Sequence, residues 1–148
     1  MNTQKTIATA FILTFFILTT AAYGAMRGHG AKKPAASEFG LGPRTSAQAL
    51  YKATLIPAET LKPRKMYMLP VAITDAAGKP VTGATVTIDG GMPQHGHGLP
   101  TRPRVTKSNG DGTYEISGLR FNMGGWWELK VTITTAAGTD TVTFNLSL

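Results

Sequence analysis

Apolar and polar residues alternate with a period of two along most of the chain after residue 50. Successive side chains of a half-buried β-strand point to opposite faces of its sheet, so this alternation predicts strands with one buried face. The apolar positions of the clearest runs are Tyr67, Leu69, Val71 and Ile73; Ala84, Val86 and Ile88; Tyr114 and Ile116; Trp127, Leu129, Val131 and Ile133; and Val142, Phe144, Leu146 and Leu148.

Residues that favour turns separate these runs, notably over 75–80, 109–112 and 136–140, where Gly, Pro, Asn and Asp are concentrated. No segment beyond the N-terminal region shows a sustained helical period. About seven short strands in about 100 residues predict an all-β protein, an Ig-like antiparallel β-sandwich.

The N-terminal segment 1–24 has the composition of a secretory signal peptide. Lys5 provides the positive charge, residues 6–20 are apolar or threonine, and Ala22-Tyr23-Gly24 supplies small residues for cleavage after Gly24. The alternative is an uncleaved N-terminal anchor, although the apolar run is shorter than the ~20 residues that a spanning helix usually needs. Under both interpretations an export helix precedes the domain, and the remainder of the chain is extracytoplasmic, in the periplasm or its equivalent.

The rest of the chain divides into a flexible linker, 25–48, and one domain, 49–148. The linker is predicted because Gly, Ala, Lys, Pro and Ser dominate it without any apolar period. The chain contains no cysteine, which excludes disulfides, thiolate metal sites and thiol nucleophiles. The domain must therefore be stabilised by its buried core.

The candidate chemistry lies in the Gly/Pro-rich stretch 92–100, which contains two of the three histidines. In an extended segment His95 and His97 project to the same side, so both imidazoles can bind one ion. Met92 and Met123 are further candidate ligands, and a mixed His/Met set favours copper, with zinc as the second candidate. The alternative interpretation is a polar loop with exposed histidines, in which Met92 and Met123 are core-packing residues.

Four other residues near these candidates have simpler predicted roles. Met66 and Met68 share one face of a strand, and packing is the favoured interpretation for both. Trp127 lies on the apolar face of its predicted strand and is predicted to be a core residue, whereas Trp126 points to the opposite face. Trp126 is therefore a candidate for a binding surface, for covering the metal loop or for shielding a sheet edge.

The formal net charge of +7 indicates either a basic solvated surface or attraction to anionic membranes or acidic proteins. Nucleic acid is not an expected partner, because the chain is exported and has no basic stripe interleaved with aromatic residues. Arg102, Arg104 and Lys107 follow the histidine stretch and are candidates for recruiting an acidic periplasmic or membrane protein. The alternative is a solvated cationic loop.

Three motifs resemble those of the YtkA-like/FixH-like family of small exported domains. They are Met92-Pro93-x-His95-Gly96-His97-Gly98, Gly112-Thr113-Tyr114 and Phe121-x-Met123-x-Gly125-x-Trp127-x-Leu129. The resemblance covers about Leu50 to Leu148. It implies an Ig-like fold facing the periplasm or cell exterior, with a link to copper handling or to the assembly of respiratory copper enzymes. FixH-like proteins carry a membrane helix, so cleavage of the N-terminal segment would favour the soluble members of the family.

The sequence thus predicts an exported copper-binding protein, a chaperone or delivery factor linked to copper homeostasis or respiratory-oxidase assembly. Membrane contact is expected only through an uncleaved N-terminal segment. No enzyme is predicted, because no nucleophile elbow, phosphate loop or carboxylate pair is present. The alternative is a non-metal interaction module docking an envelope or membrane assembly, which predicts divergent histidines and an exposed apolar patch that includes Trp126.

Overall fold

The computed structural model of the chain describes residues 31–148, which form nine β-strands and one short 3-10 helix. The helix is Ala36–Glu38, and the strands are β1 Arg44–Thr45, β2 Tyr51–Leu55, β3 Met66–Asp75, β4 Thr85–Met92, β5 His97–Gly98, β6 Arg104–Ser108, β7 Thr113–Arg120, β8 Trp126–Thr135 and β9 Gly138–Ser147. No helix within 31–148 has the length and apolar composition to span a membrane. The predicted export helix, the first residues of the predicted linker and His29 lie outside the described range.

The strands form two antiparallel sheets that pack face to face. One sheet has the order β1-β2-β3-β7-β6 and the other β5-β4-β8-β9. The order β2-β3-β7-β6 opposite β4-β8-β9 is that of the immunoglobulin sandwich. The predicted all-β sandwich is therefore confirmed, with two strands beyond the expected seven. The additions, β1 and β5, have only two residues each, too few for an alternating pattern.

The core lies between the sheets and includes most of the residues that the alternation assigns to the inner faces, together with β2 and with residues such as Met92 and Phe121 that the alternation did not assign. Its largest fully buried side chains include Trp127, Tyr114, Phe121 and Phe144. Burial of a large apolar side chain stabilises a fold by roughly 1.5–3 kcal/mol. These side chains give the domain its stability without any disulfide bond.

The segment before β2 lies against the sandwich through main-chain hydrogen bonds. The Gly40 N–H donates to the carbonyl of Asn145 at 3.0 Å, Phe39 forms a parallel bridge with the same residue, and β1 pairs with β2. Part of the predicted flexible linker, 25–48, thus packs on the β9 and β2 strands. The composition did not indicate these contacts, because backbone groups make them and no apolar period is needed.

Asp140 fastens this segment to β9. Its side chain is almost fully buried, and its carboxylate accepts hydrogen bonds from the backbone N–H groups of Gln48 at 2.9 Å and Leu50 at 3.3 Å. Burial alone would raise the pKa of Asp140. Hydrogen bonds from the Ser46 hydroxyl and from the backbone N–H groups, including that of Thr141, outweigh burial and lower its pKa below the ordinary value.

We expect Asp140→Asn to destabilise the fold at neutral pH, because the amide group presents donors to backbone donors. A carboxyl with a lowered folded-state pKa stabilises the fold above its unfolded-state pKa, and this contribution is lost as pH falls through the folded-state pKa. Wild-type stability should therefore fall below about pH 4, and that loss should be smaller in the variant. Urea unfolding across pH measures both effects, with exposed Asp89→Asn as the control; equal pH profiles for wild type and Asp140→Asn would contradict this role.

Candidate metal centre

The two candidate histidines lie on a tight hairpin that joins β4 to β5. The His95 N–H donates to the Met92 carbonyl at 3.0 Å, which closes a turn with Pro93 at its first inner position, where the fixed φ of proline is favoured. Gly96 follows with a φ of +64°, a left-handed conformation that glycine adopts without strain. His97 then pairs with Met92 across the ladder. The sequence between the strands thus fixes the backbone positions of both histidines.

Two glycines let β4 lie close to both of its neighbours at the base of this hairpin. A Cβ atom at Gly91 would collide with the carbonyl oxygen of His97, and one at Gly90 would collide with the carbonyl oxygen of Glu128. Any larger residue at either position would push β5 or β8 away from β4. The glycines therefore belong to the framework that holds the histidines, although they carry no ligand atom.

The hairpin brings the two imidazoles together in a parallel arrangement. The ring centroids of His95 and His97 are 6.1 Å apart and the ring planes differ by 5°. Both side chains are exposed. Each ligating imidazole nitrogen lies about 2 Å from a bound metal, so this spacing keeps both rings within reach of one ion. Shared binding of one ion by His95 and His97 stays a prediction.

The second candidate segment, the loop between β7 and β8, is held by its aromatic residues. Phe121 packs edge-on against Trp127, with ring centroids 5.2 Å apart. The Trp127 indole N–H donates to the Met123 carbonyl at 3.0 Å. The backbone of Met123 is thereby fixed, while its side chain remains 41% exposed. A thioether is thus presented to solvent at a defined point of the loop.

The histidine hairpin and this loop meet at one end of the sandwich, and Met92 makes the contact. Its terminal methyl carbon fills the space beside Gly125, where a Cβ atom would lie only 2.8 Å away. Met92 is 1% exposed and belongs to the core cluster. The structure therefore brings His95 and His97 together, places exposed Met123 on the adjoining loop and buries Met92. Core packing describes Met92 but not Met123.

A shallow hollow of about 320 Å³ borders the hairpin on the side of His97. Asp89, Glu128 and Lys130 line it, and the Lys130 ammonium lies 3.5 Å from the Glu128 carboxylate. Within residues 31–148, no set of three or more His, Asp or Glu side chains is grouped to hold a metal ion. The sequence did not point to these charged neighbours, because Glu128 lies 31 positions after His97 and joins it only through the ladder.

Other sequence predictions around the site have mixed outcomes. Trp127 is buried as expected, but Trp126 is also buried, and its indole N–H donates to the Asn145 side chain at 2.9 Å. The prediction of an exposed patch that includes Trp126 is therefore wrong. The predicted packing role of Met66 and Met68 is likewise wrong, because these residues are 55% and 61% exposed on the outer face of β3.

The cationic residues that follow the hairpin are exposed but not equivalent. Lys107 lies 3.5 Å from Glu115, so its charge is partly satisfied within the domain. Arg102 and Arg104 make no ion pair within the described part of the chain. Recruitment of an acidic partner by these two guanidinium groups stays a prediction, as does the alternative of a solvated cationic loop.

Comparison with known proteins identifies one family. The family model described as YtkA-like matches residues 45–132, more than half of the chain. No curated protein matches. Among solved structures, the ZirS C-terminal domain is similar over 95% of this chain and 97% of that one, at 15% identity and a TM-score of 0.39. The family assignment therefore rests on the family model.

We expect Met92→Ala to destabilise the domain by about 2–5 kcal/mol, because it opens a cavity where two loops meet the core. Met123→Ala is the matched control and should change the free energy of unfolding by less than about 0.5 kcal/mol. Equilibrium unfolding in urea measures both values. Equal destabilisation by the two substitutions would contradict the assignment of Met92 to the core and Met123 to the surface.

Proposed function

Because this chain belongs to the YtkA-like family, which suggests an extracytoplasmic domain, we propose that it is a periplasmic copper-binding protein that acts as a chaperone or delivery factor. The observation that carries the proposal is the parallel pair of exposed imidazoles, His95 and His97, on a hairpin of fixed geometry. No described side chain shields them, so an ion held there is accessible to a second protein.

The chemistry of the ligand set favours copper. The imidazoles of His95 and His97 suit copper and zinc alike, whereas a thioether is a soft ligand that selects Cu(I). Met123 is the thioether candidate, because it is exposed on the loop that contacts the hairpin. Met92 supports the site from the core rather than binding the ion. Asp89 and Glu128 line the neighbouring hollow, but carboxylates are weaker ligands for a soft metal, and Glu128 also faces Lys130.

An exposed site with few protein ligands suits transfer rather than catalysis. A delivery protein must release its ion to an acceptor, and open coordination positions let acceptor ligands approach before the donor ligands leave. Metal-dependent hydrolysis would instead need an activated water and a positioned general base. We therefore propose a non-enzymatic role in copper homeostasis or respiratory-oxidase assembly.

The proposed partner is an acidic periplasmic or membrane protein that exchanges the ion. Arg102 lies in the segment between β5 and β6, a few residues after the histidines, and its guanidinium is exposed. Complementary charge accelerates encounter and fixes the orientation of transient complexes. If the N-terminal segment stays uncleaved, it would hold the domain at the membrane where such a partner resides.

Anaerobic titration of the full chain with Cu(I), in competition with a chromophoric chelator, tests the proposal. We expect one ion per chain for the wild type and no competitive binding by His95→Ala/His97→Ala, because both imidazoles are removed. His29→Ala is the matched control for loss of a histidine and should bind as the wild type does. Met92→Leu should also retain binding, since leucine conserves the core volume.

Failure of the wild type to compete for Cu(I) would overturn the carrier function. Equal binding by the wild type and the double histidine variant would overturn the site. Weaker binding by Met123→Leu, with the fold intact, would assign the third ligand. Parallel titrations with Zn²⁺ measure the preference between the two metals, and a preference for Zn²⁺ would contradict the copper assignment.

A second candidate function is a non-metal interaction module of an envelope assembly. The observation in its favour is the exposure of Met66 and Met68, two large apolar side chains side by side on one sheet. This function predicts that the chain docks on an envelope assembly without copper. Binding to that assembly should therefore persist in His95→Ala/His97→Ala, which distinguishes this function from the copper carrier.

A further inference from the structure

Three large apolar side chains are exposed next to each other on the outer face of the five-stranded sheet. Ile56 is 48% exposed, Met66 55% and Met68 61%. The Ile56 N–H donates to the Pro70 carbonyl at 2.9 Å, which places Ile56 opposite Pro70, one pleat along β3 from Met68. We call these three residues the apolar face. Single exposed apolar residues need no explanation, whereas a contiguous exposed apolar group is a candidate interaction surface.

Two arginines flank the apolar face. Arg120 is the direct cross-strand partner of Met66, and Arg104 lies in the same row as Met68, with Ser117 of β7 between them. Directly opposite residues hold their Cβ atoms about 5 Å apart, and one further strand adds about the same spacing. The apolar side chains are therefore bordered by guanidinium groups on the same face of the sheet.

The acidic side chain on this face, Glu115, forms an ion pair with Lys107 and not with either arginine. Neither forms an ion pair within residues 31–148. Residues 1–30 contain no Asp or Glu, so they supply no carboxylate side chain either. The chain carries 15 Lys and Arg against 8 Asp and Glu, and this excess is consistent with an anionic partner for the face.

We propose that the apolar face, with Arg104 and Arg120, docks the folded domain on an anionic phospholipid surface. The face is the outside of a pleated sheet, which fits a planar surface, and methionine side chains are flexible enough to adapt to a fluid interface. Apolar insertion combined with basic residues that contact anionic headgroups is the physical basis of such binding. Ile56 has no metal-ligating atom, so metal binding does not account for the group as a whole.

This contact adds a membrane attachment by the folded domain to the one expected from the N-terminal segment. β3 begins, and β7 ends, at the end of the sandwich where β4 leads into the histidine hairpin. Docking would therefore hold the histidine end near the membrane surface. The proposal does not depend on copper binding, and its test is performed without copper.

Methionine oxidation by dilute hydrogen peroxide, resolved residue by residue by mass spectrometry, tests the docking in the full chain. Vesicles of phosphatidylglycerol are compared with vesicles of phosphatidylcholine, because the N-terminal segment can attach the chain to either. We expect phosphatidylglycerol to slow oxidation of Met66 and Met68 several-fold relative to phosphatidylcholine, with a smaller change at exposed Met123. Equal rates for Met66 and Met68 on the two kinds of vesicle would overturn the proposal and leave the face to a protein partner.

Charge variants supply the matched control. Arg104→Gln/Arg120→Gln should lower the equilibrium constant for docking about 25-fold, because each basic residue near an anionic surface contributes about a fivefold factor. Lys32→Gln/Lys79→Gln removes the same charge elsewhere and should retain the protection. Both pairs are exposed, so circular dichroism should show unchanged folding. Protection of Met66 and Met68 that survives in the arginine variant, or is lost equally in the lysine variant, would contradict the assignment.

Discussion

The contact between the Met92 methyl group and Gly125 is the interaction on which the candidate site depends. It joins the end of β4 to the loop before β8, and so connects the histidine hairpin with the segment that presents Met123. Trp127 also holds this loop, because its indole N–H donates a hydrogen bond to the Met123 carbonyl. The exposed ligand candidates thus lie above two buried side chains, Met92 and Trp127. A domain without disulfides can hold two loops in register in this way because tight packing transmits position.

The fold was predictable because apolar and polar residues alternate along the sequence of most strands. Tyr67, Leu69, Val71 and Ile73 all fall inside, and the same holds for the inner positions of β8. What the pattern could not reveal is structure built from backbone groups. The two-residue strands and the pairing of the segment around Phe39 with β9 depend on main-chain hydrogen bonds, which leave no hydrophobic period.

The candidate site was predictable only in part. His95 and His97 lie close together as predicted, but a turn with Gly96 in a left-handed conformation brings them together rather than the extended segment that their spacing suggested. Met92 could not be assigned by sequence, because a methionine beside a histidine loop serves equally as ligand or as core residue until the opposing surface is known. That surface is Gly125, and only the three-dimensional pairing of β4 with β8 brings it near. The exposure of Met66 and Met68 was missed for a related reason: methionine on a strand is compatible with either face.

We propose that His95 and His97 share one copper ion. X-ray absorption at the copper edge of the Cu(I)-loaded chain tests it most directly, because imidazole rings produce a distinct outer-shell scattering pattern. We expect two imidazoles and one sulfur on the copper of the wild-type chain, and loss of the imidazole signal in His95→Ala/His97→Ala. A copper environment without imidazole, or one that is unchanged by the double substitution, would contradict it.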